Sequence, residues 1–484
     1  MEYLPDRESV DSHRLPDWYH DAKFGIFVHW SLSCVPAYAP SDRGNTLDIL
    51  RNEGSRSMFV NQPCPGWYLN SLRIKGSPAW KHHLLNYGLS FDYYRFADEF
   101  NRELDRWDPG SWADLFKEAG AKYVILVTKH HDGFLLWPSH HRNPARPELH
   151  ASRNVVEELS RAVRDRGMKM GFYYSSPYDW TFTEKPVTDL ATGLLRTPFS
   201  REYRDYACNH WYELIDRYLP SVLWSDIGFP SGVNTDEIVA YFYNRVPDGV
   251  VNDRWEQSSP LLRTLAFLPG FRQAIDRYAR RALLQEKVIS PRVHHDFSTP
   301  EYATPDGIAE EKWECARGIG RSFGYNREEE PGDFPGDDEL VHMLSDIVSR
   351  NGNLLLGVGP MPGGEIPGIQ VDRLRAVGRW LAANSEAVYG TRPWIRAEGS
   401  TSEGMGVRFT CRDGSLYAII LGTPGSPEVD ISPLVPAGET RVELLGSPAP
   451  LGCEHLPRGL RVRFPEQLPP GPATCLKVSP VPTG

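Results

Sequence analysis

The sequence predicts an α/β protein: a (β/α)8-like, TIM-type barrel over residues 1–390, followed by a C-terminal antiparallel β-sandwich domain over residues 391–484. Three observations predict it. Short apolar runs that stop abruptly on polar or turn-forming residues alternate with stretches of helical periodicity, as parallel strands covered on both faces do. About eight such units fit along the first part of the chain, enough to close a barrel. From about residue 392 the texture changes to short Val/Leu/Ile runs broken by Gly and Pro, the pattern of antiparallel strands.

In chain order, residues 23–30 (KFGIFVHW) form an apolar strand that ends on His29 and Trp30. Residues 40–66 are rich in Ser, Arg, Asn and Pro and read as a long functional loop before Trp67-Tyr68. A helix over 112–120, with Ser111 as N-cap and Gly120 as stop, leads to the strand 123–128, which delivers Lys129-His130-His131-Asp132. The stretch 154–166 repeats apolar residues at helical spacing, with Glu157 three after Asn154 in capping-box register and Gly167 as stop. The strand 168–175 holds Tyr173 and Tyr174. A helix over 201–218 carries the chain to residues 219–230 (LPSVLWSDIGFP), a short buried strand that stops on Asp226.

A helix over 235–245 and a strand over 249–255 follow, with Arg254 near the tip. Residues 257–290 read as an inserted helical element whose ends lie next to Arg254 and Glu301, so it flanks whatever those residues form. The chain then runs through a helix over 337–350, a strand over 353–360 and a helix over 368–383. In the C-terminal part the candidate strands are 407–411, 416–421, 440–445 and 460–464.

Composition removes several classes of function. A net charge of −10 disfavours a nucleic-acid partner. No apolar run approaches the roughly twenty residues of a membrane helix, so no membrane partner is expected. The first twelve residues are acidic and polar, unlike a secretory leader, and point to a cytoplasmic location. Seven cysteines without a CxxC pair read as free thiols. No His-x-His stands at a predicted strand tip, so neither a metal nor another cofactor is expected.

What remains is a rim of strand ends holding His29, His130, His131, Asp226, Arg254 and one of the pair Tyr173/Tyr174, with Glu301 close by. Histidine, arginine and aromatic rings suit sugar hydroxyls and ring faces, and glycosidic cleavage needs one ionised and one protonated carboxyl. Asp132, Asp179, Asp253 and Asp296 are the other carboxylates in reach, and spacing alone does not rank them.

The runs FGIFVHW (24–30), KHHDGF (129–134), YYS (173–175), VLWSDIGFP (222–230), NDRW (252–255), TPEY (299–302), GIGRSFGYN (318–326) and NLLLGVGP (353–360) together resemble the retaining α-L-fucosidases of glycoside hydrolase family 29, in the family's order. The resemblance implies an exo-acting enzyme that hydrolyses terminal α-L-fucosides through a covalent fucosyl intermediate, with Asp226 as nucleophile and Glu301 as acid/base. It implies fucose contacts from His29, Trp67, His130, His131, Tyr173, Trp224, Arg254 and Phe323. Partners are then fucosylated small molecules or glycans, with a homo-oligomer left open; a transfucosidase or a silent fucose-binding protein would use the same residues. The chain departs from the family pattern at Gly66, where Glu is frequent, at Ser31, where Gly is frequent, and at Gly357, where Asn is frequent. Its insert between Arg254 and Glu301 is also long.

Overall fold

The computed structural model describes residues 2–88, 90–284, 293–436, 438–447, 450–465 and 467–482. Among the described residues, seven parallel strands, β1 (Phe24–Val28), β2 (Tyr123–Lys129), β3 (Lys169–Tyr174), β4 (Val222–Ser225), β5 (Val250–Val251), β6 (Trp313–Gly318) and β7 (Gly352–Val358), pair in the order β5-β4-β3-β2-β1-β7-β6. Among the described residues the eighth position is filled without a regular strand. Residues 296–302 run between the edge strands, with isolated parallel bridges from Phe297 to Asn252 and from Ser298 to Trp313. The strand expected over 249–255 is only two residues long, and β6 carries no recognisable apolar run in the sequence.

Side-chain alternation divides the sheet cleanly. Ile26, Val28, Val124, Leu126, Phe172 and Leu354 face the helices in the large outer core, whereas Phe27, Tyr123, Val127, Tyr173, Trp224 and Leu355 fill the barrel interior. Gly25 is required by this packing: a Cβ there would lie 2.4 Å from the Tyr123 ring on the paired strand. Removing that one methyl lets an interior tyrosine lie flat across the ladder.

Helices cover the outside. Val155–Asp165, Arg201–Tyr218, Thr235–Arg245, Asp337–Ser349 and Gly368–Asn384 lie where the periodicity predicts them. Two expectations need correction. The helix before β2 is Pro109–Glu118, capped by Asp108, whose carboxylate accepts from the Gly110 and Ser111 amides; Pro109 at its first position fixes that start. Residues 40–66 are not a bare loop, because Thr46–Glu53 and Ser55–Val60 are helical, the first with an Asn45/Asp48 capping box. The inserted element is a pair of helices, Pro260–Ala266 and Pro269–Leu284; its residues 285–290 lie outside those described.

After residue 391 come β8 (Arg392–Thr401), β9 (Gly406–Arg412), β10 (Ser415–Ile420), β11 (Glu428–Ser432), β12 (Arg441–Leu444), β13 (Pro450–Leu456), β14 (Gly459–Arg463) and β15 (Thr474–Ser479). All their pairings are antiparallel, and the ladder closes on itself in the order β10-β15-β12-β13-β14-β11-β8-β9. This unit has its own core around Val407, Phe409, Val429 and Leu460. Its outer face packs on the barrel's helices, where Trp380 donates to the Ala473 carbonyl at 3.0 Å.

Candidate active site

Because all barrel strands run the same way, the residues just beyond their C-terminal ends meet at one rim. His29 follows β1, His130 and His131 follow β2, Tyr173 and Trp224 close β3 and β4, Asp226 follows β4 and Arg254 follows β5. Glu301 lies on the bridging segment and Phe323 on the loop after β6. With Trp67, all of them line a single cavity of about 1380 Å³.

The backbone turns sharply where the carboxylates stand. Ile227 (φ 62°) follows Asp226 and Tyr302 (φ 52°) follows Glu301, both in the left-handed region that a β-branched or bulky side chain rarely enters. Gly228 (φ 123°) completes the first turn; a Cβ there would sit 2.5 Å from the Glu256 carbonyl oxygen. Left-handed non-glycine residues cost free energy and persist where surrounding structure holds them. Here each directs its neighbouring carboxylate into the cavity.

Arg254 joins the two acids. Its Nη1 donates to Asp226 Oδ1 at 2.8 Å and to Glu301 Oε1 at 2.6 Å. Its Nε and Nη2 donate to Thr299 Oγ1 and to the Thr299 carbonyl, and the Thr299 hydroxyl donates to Asp253 Oδ1 at 2.6 Å. The guanidinium also lies 4.7 Å over the Trp224 ring. Burial works against its charge, but Glu301, Asp226 and Asp253 outweigh it and push its pKa above the usual arginine value. Tyr173 donates to Asp226 Oδ2 at 2.7 Å, so both oxygens of Asp226 are engaged. Tyr174 points the other way, toward the helices, with its hydroxyl 2.9 Å from His210 Nδ1.

Three imidazoles line the opposite wall. His130 and His131, expected on opposite faces if the strand stayed extended, instead have ring centroids 4.0 Å apart, because β2 ends at Lys129. His131 Nδ1 contacts Ser175 Oγ at 2.6 Å, and Trp67 meets its ring edge-on at 4.8 Å. Burial lowers the pKa of all three, His130 to about 4 and His29 and His131 well below the ordinary value, so each is neutral and offers one donor and one acceptor. Phe323 closes this wall at 4.9 Å from His29. Gly66 explains the seat of His130: a Cβ at 66 would lie 2.7 Å from His130 Cε1, in space the ring occupies.

Several participants escape the sequence reading. Glu314 lies inside the barrel below the site, accepting from Tyr19 at 2.8 Å, Tyr123 at 2.5 Å and Trp224 Nε1 at 3.1 Å; burial raises its pKa. Its only sequence signal is a charge in the Trp-Glu-Cys-Ala run. Asp253, one of the carboxylates that spacing does not rank, and Thr299 clamp Arg254, a role their positions in the sequence do not announce. Lys129 is fully buried, bonded to the Ser175 and Tyr178 carbonyls and paired with Asp179 at 3.3 Å.

Among the described residues the group able to hold a metal is His13, His294 and Asp296, outside the imidazole wall. Its atoms are spent on one another and on neighbours: His13 Nδ1 meets Asp296 Oδ1 at 2.8 Å, and the Tyr243 hydroxyl contacts both His294 and Asp296 at 2.7 Å. All seven cysteines are free. No helix among the described residues is long and apolar enough to cross a membrane.

A parallel barrel that presents two carboxylates, an arginine between them and a wall of neutral imidazoles and aromatic rings defines a glycoside hydrolase. The family model for alpha-L-fucosidase matches residues 1–288 and 276–386. Tissue alpha-L-fucosidase of Rattus norvegicus is 31% identical over 479 residues, covering 97% of this chain and 90% of that one. The structure of Thermotoga maritima alpha-fucosidase with a mechanism-based inhibitor superposes with a TM-score of 0.83 at 37% identity, covering 98% of this chain and 99% of that one. The same enzyme in complex with fucose gives 0.81 at 36% identity, with 98% and 100% covered. The chain belongs to the alpha-L-fucosidases of glycoside hydrolase family 29.

Proposed function

We propose that the chain is an exo-acting retaining α-L-fucosidase that works by double displacement, with Asp226 as nucleophile and Glu301 as acid/base. One observation supports this mechanism: the nearest oxygens of the two acids share a single donor. Two carboxylate oxygens bonded to the same nitrogen at 2.8 and 2.6 Å lie no farther apart than those distances laid end to end, 5.4 Å. Retaining glycosidases hold their carboxyl groups about 5 to 5.5 Å apart, whereas inverting ones leave roughly 6.5 to 9.5 Å for a water.

In the first step Asp226 attacks the anomeric carbon and forms an ester, while Glu301 gives its proton to the departing oxygen. In the second, Glu301 takes a proton from water, the water oxygen attacks the same carbon and Asp226 leaves. Tyr173 and Arg254 hold Asp226 in line. Arg254 offsets the charge of both acids between turnovers, and Glu301 parts from it to reach the leaving oxygen. His29, His130 and His131, each neutral, bind sugar hydroxyls as paired donors and acceptors, and Trp67, Trp224 and Phe323 cover the apolar edge and the methyl group. The fucose complex of the Thermotoga enzyme supports this choice of sugar.

The test has two parts. A nitrophenyl α-L-fucoside should be cleaved, and the β-fucoside and α-galactoside left intact. Glu301→Ala should lose about 10²-fold or more on sugar or alkyl leaving groups, which need the proton, and far less on fucosyl fluoride. Equal losses on both would remove Glu301 from the acid role and bring Asp253 forward.

A further inference from the structure

The cavity is far larger than one sugar needs, and its walls change character away from the carboxylates. Ligand pockets for drug-sized molecules run to roughly 300 to 1,000 Å³, and this one is about 1380 Å³. Trp67 is the turning point: one side meets His131, and its ring also lies 5.5 Å from Phe59 and 6.1 Å from Tyr178. Beyond it the lining includes Leu50, Phe59, Leu190, Leu194, Leu262 and Leu283. Two of these come from the inserted helices and remain partly open to solvent, Leu262 at 37% and Leu283 at 42%.

Polar bonds hold the insert to its neighbours. Asp276 accepts from the Leu190 amide at 2.9 Å and from Ser55 Oγ at 2.7 Å, and Arg280 donates to the Leu50 and Arg51 carbonyls at 3.0 and 2.9 Å. Arg272 pairs with Asp189. Thr46 Oγ1 donates to Gln62 Oε1 at 3.1 Å. An oligosaccharide leaving group carries several hydroxyls that need partners when buried. An apolar one needs only contact.

We infer that the inserted helices build an apolar leaving-group subsite, and that the enzyme takes α-L-fucosides whose aglycone is a long alkyl or similarly extended hydrophobic group. The inference rests on the fucosidase reading, because the chamber opens directly onto Asp226 and Glu301 and its occupant is the part of the substrate that continues from the scissile bond. The insert is the device that provides it: polar bonds fix one face to the 46–53 and 190–196 helices, leaving Leu262 and Leu283 for the ligand.

The experiment measures kcat/KM for methyl, butyl and octyl α-L-fucosides and for an α-L-fucosyl-lactose. Each buried methylene is worth up to about four-fold, so octyl should exceed methyl by at least roughly 30-fold and should exceed the oligosaccharide as well. In Leu262→Asn with Leu283→Asn, both at partly exposed positions that tolerate a polar side chain, the rise with chain length should flatten. The Kd of the same alkyl fucosides for Asp226→Asn should follow the same order without turnover. Cleavage with no dependence on chain length, or a preference for the oligosaccharide, would overturn the inference while leaving the fucosidase reading intact. Failure to cleave any α-fucoside would instead remove that reading, and the Kd series would still decide the subsite.

Discussion

Arg254 holds both acids through one nitrogen, and the two acids differ in what else they touch: Asp226 is fixed by Tyr173, whereas Glu301 has a side chain 32% exposed. This asymmetry suits one group that stays in line and another that moves a proton. Asp226→Gly should therefore keep the fold, since the carboxylate sits past the end of β4, yet lower kcat by on the order of 10³ or more, with partial rescue by azide. A variant keeping above about a tenth of wild-type rate would contradict the nucleophile assignment, because nucleophile loss costs orders of magnitude. Gly66→Ala tests the wall. Its Cβ would meet His130 Cε1 at 2.7 Å, so the imidazole must shift; kcat/KM for an aryl fucoside should fall about ten-fold, as a misplaced positioning group does. Unchanged kinetics would mean that His130 does not position the sugar. In the sequence, Asp226 is legible because its apolar run stops on it, but Tyr173 and Tyr174 become distinguishable only once β3 has an inside and an outside.

At the level of elements, strands and long helices follow from periodicity, while what ties them together is carried by buried polar groups that periodicity does not see. Glu314 is the example. Glu314→Leu would leave the Tyr19, Tyr123 and Trp224 donors buried without an acceptor, at about 1 to 3 kcal/mol each, so the urea midpoint should drop by the equivalent of about 3 kcal/mol or more. No change would mean those donors find water. Acid should also weaken the fold. Burial pushes His20 and His130 down to about 4 and His210 to about 3, and holds His29 and His131 well below the ordinary value. Their contribution is full above the ordinary value of 6.5 and is lost as pH falls toward those folded values, because the unfolded chain takes up protons that the folded one refuses. Asp132, raised to about 6, and Glu329, raised to about 7, act in the opposite sense, but the five histidines outnumber them. The expected result is a Tm that declines from pH 6.5 to 5; a flat or rising Tm would show that the imidazoles are not buried neutral. The bridging segment 296–302 escapes sequence reading, and β5 is shorter than the strand expected over 249–255, for a related reason: the barrel needs only a few hydrogen bonds there, too few for a long apolar run to be required.

Across the whole molecule, the barrel and the C-terminal β unit share packing. Tyr417, Ile419, Ala473 and Cys475 belong to the same core as the barrel's helices, and β10 is buried along its entire length because it faces that core on one side and its own on the other. We place the domain boundary near residue 390 and expect truncation there to expose the Trp380 face and to yield aggregated protein by gel filtration, not an active barrel. Four of the eight C-terminal strands, β8, β11, β13 and β15, were not separable in the sequence; β13 is largely exposed, so its residues carry no apolar alternation. The family resemblance reaches further than the physical reading does, because short boxes in fixed order identify strand tips whose contacts only the fold assembles. We propose that Asp226 and Glu301, one oxygen of each bonded to the same Arg254 nitrogen, act by double displacement. The most direct measurement is the anomer of fucose formed first from an aryl α-L-fucoside, followed by proton NMR before mutarotation. α-L-Fucose should be the initial product; β-L-fucose would mean a single inverting displacement and would rule out a covalent intermediate on Asp226.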